Sequence, residues 1–222
     1  MYDDSYFIDF YQDTRQIIDG ITNKVSFYVN KSPTMLRWKD YKFYFEQVYH
    51  VEYYEYDFNS FLEKKFSGSI MIDHRYCTAA IGFNSSMILP RINFTQAHES
   101  GHFLESILDM TLETQSYTDL LVKNYSESNY KDEWFANIAA GMMLIEETSL
   151  IQNLRNRISF HSLCRIYGAS QSAMCVRIKQ LFQMGFGVNR FYVENAVTNY
   201  KDYDNFDALI DALNDDRILN IM

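Results

Sequence analysis

His98, Glu99 and His102 stand in the pattern His-Glu-Ser-Gly-His. On an α-helix, residues four apart share a face, so two imidazoles at that spacing reach one metal ion without bending the backbone. Glu99, one position along, meets a water held in the ion's open coordination position. A metal lowers the pKa of such a water, and a neighbouring carboxylate takes its proton as it attacks a peptide carbonyl. The chemistry these residues allow is metal-assisted hydrolysis. Zn2+ is the default ion, and Mn2+ or another divalent ion suits the same donors.

A catalytic zinc usually has three protein ligands, and the third is expected from a separate helix. Glu133 opens the next strongly helical stretch and is the chosen ligand, with Asn137 one turn later placed to orient a ligand imidazole. Glu105, Glu146 and Glu147 compete with it on position alone. Without a metal, Glu133 reads as a first-turn acid favoured by the helix dipole, and the two histidines as surface residues.

These residues need elements to hold them. The pattern predicts helices over Asp9–Ile21 and Trp38–Tyr49, then strands over Val51–Phe58, Ser69–Asp73 and Thr78–Phe83, the last two joined by a turn around His74. Phe94–Met110 carries the histidines and reads as the clearest helix, with Thr95 in its N-cap region. Thr111–Lys131 reads as a loop and Glu133–Leu150 as one continuous helix. Further on, Leu163–Tyr167, Gly168-Ala169-Ser170 and Gln171–Phe182 read as helix, tight turn, helix, with Gly168 supplying the unusual backbone angle and Ser170 the cap. Phe206–Leu213 reads as a last helix.

The chain has 222 residues and a net charge of −9, with 18 Tyr and 17 Phe to build a core. That acidity disfavours a phosphate-binding face, so direct DNA binding is not expected. Cys77, Cys164 and Cys175 are an odd, widely spaced set, unlike a disulfide framework, and read as small buried hydrophobes. The segment MYDDSYFIDF lacks the charged and apolar regions of a secretory signal, and no apolar run reaches membrane-spanning length. A cytoplasmic protein without a membrane association is the expectation.

The run Arg91-Ile-Asn-Phe94-Thr95-Gln-Ala97-His98-Glu99-Ser-Gly101-His102 resembles the RxxFTxAHELGH signature of the ImmA/IrrE metallopeptidases. Glu133-Trp-Phe-Ala136-Asn137-Ile-Ala-Ala140 resembles that family's second motif, ExxANxFA, and the likeness extends over about residues 45–185. Ser100 stands where the family commonly has Leu, Ala139 replaces the usual Phe, and the usual closing Pro is missing after Gly141. The resemblance implies metal ligands His98, His102 and Glu133, Glu99 as general base, and cleavage of a helix-turn-helix repressor of a mobile element or a stress response. It also implies that the strand nearest the site pairs with an extended substrate segment.

Gly168-Ala-Ser170-Gln-Ser-Ala173-Met-Cys-Val-Arg177-Ile178 is similar to the GVSxxAxxxRL pattern of helix-turn-helix units. One reading places Gln171, Ser172, Arg177 or Lys179 in a DNA major groove. The favoured reading is a helical segment that packs on the catalytic part and helps to recognise substrate. His50, His74 and His161 read as structural or exposed, and Met142-Met143 as core.

The expectation is an α+β chain: a zincin-like metallopeptidase domain over residues 1–155, then a helical segment over 156–222 with the helix-turn-helix-like unit. Its expected activity is a zinc-dependent endopeptidase acting on one protein partner. The alternative is a non-catalytic, metal-stabilised regulator that binds a repressor or DNA. The sequence leaves the oligomeric state open.

Overall fold

A computed structural model of the chain describes residues 4–56, 66–73, 75–109, 115–120, 130–215 and 218. The chain is α+β and mostly helical. Helix α1 (Asp4–Val29) and helix α2 (Trp38–Val48) precede strands β1 (Glu52–Tyr56), β2 (Phe66–Asp73) and β3 (Thr78–Asn84). Helix α3 (Leu89–Asp109), strand β4 (Gln115–Leu120) and helices α4 (Tyr130–Leu144) and α5 (Glu147–Arg155) follow. Helices α6 (Phe160–Tyr167), α7 (Gln171–Gln180), α8 (Arg190–Tyr203) and α9 (Asp207–Leu213) complete the described chain.

The sheet runs in the order β1-β3-β2-β4. β1 lies parallel to β3, and β2 is antiparallel to both β3 and β4. Burial explains the order. Ile81 and Phe83 of β3 and Ile70 and Ile72 of β2 are buried, whereas β1 is mostly exposed and sits at an edge. Helix α3 packs on β2 and β3, and α4 packs on α3.

Several element boundaries differ from expectation. Helix α3 starts at Leu89 with Pro90 in its first turn, where the missing N–H costs nothing, so Thr95 is inside the helix and does not cap it. The stretch expected as a loop over 111–131 contains β4 and the first residues of α4; its other residues lie outside the described ones. The helix expected over 133–150 is broken at Glu146. Its backbone is extended there (φ −61°, ψ 134°), and its carboxylate accepts hydrogen bonds from the Thr148 and Ser149 amides, capping α5. Helix α8 was not legible as a separate element.

The turn after α6 matches the sequence. Gly168 adopts φ +58° and Ser170 Oγ accepts from the Ala173 amide. One buried cluster runs across residue 155, joining Tyr11, Phe45 and Phe103 with Phe160, Phe182 and Leu213. Met142 and Met143 belong to it. The cysteines do not fit the buried expectation: Cys77 is exposed and Cys164 and Cys175 are only half-buried. No helix among the described residues is long and apolar enough to cross a membrane.

Candidate metal centre

His98 and His102 lie one turn apart on α3, and Glu133 lies in the first turn of α4. The structure brings all three together. The two Nε2 atoms are 3.2 Å apart. Glu133 Oε2 is 3.5 Å from His98 Nε2, and its Oε1 is 3.6 Å from His102 Nε2. Two donors held about 2.0–2.2 Å from one ion at the tetrahedral angle lie roughly 3.3–3.6 Å apart, so this donor set fits a divalent metal. Among the described residues it is the group of His, Cys, Asp and Glu with that capacity.

The site is enclosed. His98, His102 and Glu133 are all buried, and Glu99 is 0 % exposed. The imidazoles stand perpendicular, with ring centres 4.8 Å apart, and the Phe94 ring stacks on His98 at 6.0 Å. The competing carboxylates are engaged elsewhere or lie outside the group. Glu146 caps α5, and Glu147 pairs with Arg15 at 2.5 Å and Arg177 at 3.2 Å. Glu105 is not one of the clustered donors. Asn137 departs from expectation: it is exposed on the outer face of α4 and orients no imidazole. His50 and His161 are exposed, and His74 lies outside the described residues.

Two glycines let the backbones come close enough to build the centre, and only the fold reveals their role. A Cβ on Gly101 would lie 2.8 Å from Ala136 Cα and 3.1 Å from Ala136 O, so α3 and α4 cross in contact at that point. Ala136 is one turn past Glu133, and this crossing is what carries Glu133 to the histidines. Replacing Gly101 by Val is expected to push the helices apart. The overpacking costs about 1–3 kcal/mol, and metal affinity falls roughly 10–100-fold, as when other ligand-supporting contacts are lost. Thermal unfolding and chelator competition would check this; native-like affinity would refute it.

Gly68 plays the same part on the sheet side. A Cβ there would meet Thr95 Cγ2 at 2.3 Å and Glu99 Oε1 at 3.2 Å, which places β2 directly beside the candidate base. The β2–β4 ladder has an irregularity between Phe66 and Gly68 at the same point, and bulges are common beside sites. β2 is hydrogen-bonded on both edges, to β3 and to β4. The strand nearest Glu99 is therefore interior, contrary to the expectation that it offers an edge to substrate.

The departures at Ser100 and Ala139 have a packing account. Ser100 is buried; its Oγ donates to Gln96 O and lies 2.8 Å from the Tyr53 hydroxyl, tying α3 to β1. Burial holds the Tyr53 hydroxyl pKa well above the ordinary tyrosine value. Ala139 is fully buried in the core, where α4 lies against its neighbours.

Metal binding is testable without activity. We expect one Zn2+ per chain. At a thousandfold excess over its dissociation constant, the ion would stabilise the fold by about 4 kcal/mol, a rise of roughly 8–16 °C for a chain of this size. Glu133→Gln should abolish most of that rise. Equal metal-induced shifts in both proteins would remove Glu133 from the ligand set.

Comparison with protein-family models gives no match, and comparison with curated proteins gives none. The likeness to the ImmA/IrrE metallopeptidases rests on the motif residues, and what the fold adds is that His98, His102 and Glu133 converge on one buried point.

Proposed function

We propose that the chain is a zinc-dependent endopeptidase with a zincin-like site, which hydrolyses a peptide bond in a specific protein partner. The observation that carries this reading is the convergence of His98 Nε2, His102 Nε2 and the Glu133 carboxylate at metal-ligand spacing, with Glu99 buried next to them. A divalent ion bound there supplies Lewis-acid polarisation of a carbonyl and lowers the pKa of a water. His98, His102 and Glu133 hold the ion. Glu99 accepts the proton of the attacking water and returns it to the leaving amine, so that water adds across the broken C–N bond. Ser100 and Tyr53 fix α3 against β1 while this happens. The partner proposed is a helix-turn-helix repressor, on the motif resemblance, in a cytoplasmic setting.

The burial of Glu99 and of His98, His102 and Glu133 favours a second reading, a closed metal site that stabilises a repressor-binding protein without cutting. One observation weighs against direct DNA binding, although Gln171 and Ser172 of the same unit are exposed. Arg177, the strongest base of the helix-turn-helix-like unit, is 1 % exposed and faces the core.

Co-expression with the repressor encoded nearest to this chain, followed by intact-mass spectrometry, separates these readings. A discrete product that vanishes with Glu99→Gln supports the peptidase and gives the cut site. An intact repressor that co-purifies with the metal-loaded chain supports the binding protein.

A further inference from the structure

A cavity of about 700 Å³ lies between the β3–α3 turn, the outer face of α4 and α7. Met87, Ile88, Pro90, Phe94, Leu144 and Val176 form its apolar wall. A smaller cavity of about 210 Å³, walled by Phe7, Phe10, Trp134, Ile138 and Met184, lies beside it. Asn137 and Gln180 line both cavities and so form a polar ridge between two apolar hollows. Gly141 lies in the floor, where a Cβ would sit in ordinary contact with Gln180 Oε1 and Arg177 Cδ, each 3.6 Å away, and a longer side chain would enter the cavity.

Two features identify what fits. Among the described residues Gln180 Oε1 is buried with no hydrogen-bond partner, and a buried acceptor left so carries a desolvation cost that an incoming donor recovers. Among the described residues no Asp or Glu lines either cavity, although the chain has 29 acidic against 20 basic residues, and Arg91 and Arg177 border the larger one. An apolar ligand that brings N–H donors and no positive charge matches both features. A hydrocarbon acid brings no donor, whereas a peptide brings one at nearly every residue.

We propose that this groove holds an apolar segment of a protein partner, with one apolar side chain in each hollow and a backbone N–H donated to Gln180 Oε1. The groove adjoins the metal centre at two points. Phe94, in its wall, stacks on His98, and Asn137, on its ridge, is one turn beyond Glu133. The exposed face of α7, including Val176 at 52 % exposure, thereby acquires a protein-binding role in place of a DNA-binding one. The word substrate for this partner rests on the peptidase reading; the groove itself does not.

The test uses the full-length Glu99→Gln chain and an array of random-sequence dodecapeptides. The strongest binder is then fluorescein-labelled and titrated by anisotropy. Bound sequences should be rich in apolar and poor in basic residues. Val176→Arg and Gly141→Met should each weaken binding at least about tenfold, the worth of one buried apolar anchor. Gln180→Leu should weaken it about fivefold, the worth of one hydrogen bond. Melting temperatures of the Val176→Arg and Gln180→Leu chains should match the parent, which separates lost binding from lost folding. Three results would overturn the proposal: no peptide binds, the variants bind like the parent, or decanoate displaces the peptide equally from the parent and Gln180→Leu. Since nothing is hydrolysed in this assay, a groove that binds beside a chain that never cuts would sink the peptidase reading alone. Cleavage that survives Val176→Arg and Gly141→Met unchanged would sink the groove alone.

Discussion

Glu99→Gln is expected to lower the cleavage rate by about 10²–10⁴-fold, the range for loss of a general base, and to leave metal stoichiometry intact. Glutamine fills the same space in the pocket between α3 and β2 but cannot take a proton. None of the three clustered donors is Glu99, so metal binding has no reason to change. Glu99 is 0 % exposed, and burying a carboxylate is costly. Glutamine keeps the shape of the side chain, so the variant should melt close to the native chain without metal, and a higher melting temperature would mark Glu99 as a residue kept for chemistry at the expense of stability. Intact-mass time courses, metal analysis and thermal melts measure the three quantities. A variant that cuts at the native rate would end the assignment of Glu99 as the base. A variant that loses its metal would make Glu99 a structural member of the centre.

Arg177→Met is expected to destabilise the fold by about 3 kcal/mol, as when one partner of a buried ion pair is removed. For a chain of this size that is a fall of roughly 6–12 °C. Arg177 joins three parts of the molecule. Its Nε donates to Ile145 O at 3.2 Å, its guanidinium donates to the Tyr11 hydroxyl at 2.7 Å, and it pairs with Glu147 at 3.2 Å. Methionine leaves the Ile145 carbonyl and the Tyr11 hydroxyl without that donor. Glu147 keeps Arg15, so the loss should stay well short of a wholly unpaired buried charge. The double variant Arg177→Met, Glu147→Gln should then fall by less than the sum of the two single changes. Additive losses would show that the pair is not coupled.

The same interior gives a direction in alkali. Desolvation raises the Tyr11 pKa above its ordinary value of 10.0, with the nearby Arg177 charge opposing it, and burial pushes Tyr44 up to about 12. A raised folded-state pKa means that the group's contribution is complete below the unfolded value and is lost as pH climbs from there towards the folded value. Stability should therefore decline above about pH 10. Chemical denaturation at stepped pH would read it, and a flat profile between pH 9 and 12 would contradict the burial of these hydroxyls.

The candidate donors are legible where they depend on local spacing. Two histidines four apart with Glu between them define one helix face whatever that helix packs on. The αL turn at Gly168 and the cap at Ser170 are set by neighbouring residues and were read with the right residues in the right roles. Glu133 could be nominated because it opens the next helical run.

What sequence spacing left undecided was which faces point inward. The α7 sequence Gln171–Gln180 mixes polar and apolar residues around the helix, so local periodicity cannot say whether Arg177 faces solvent, DNA or core. Contacts with α1 and the α4–α5 junction decide it, and they bury the residue. The direction of Asn137 is undecided by sequence for the same reason: one turn from Glu133 along the chain says little about direction once Gly101 and Ala136 fix the helix crossing. β4 likewise depends on a partner distant in sequence, the edge of β2, whereas the break at Glu146 is a local cap in which a carboxylate takes two amides of the following turn. Residue types and local spacing set the His98-Glu99-His102 pattern and the helix that carries it. Tertiary contacts bring the Glu133 carboxylate to the two histidines and settle which side chains the interior claims, because side-chain direction depends on how close two backbones come, and that is a property of residue pairs far apart in the chain.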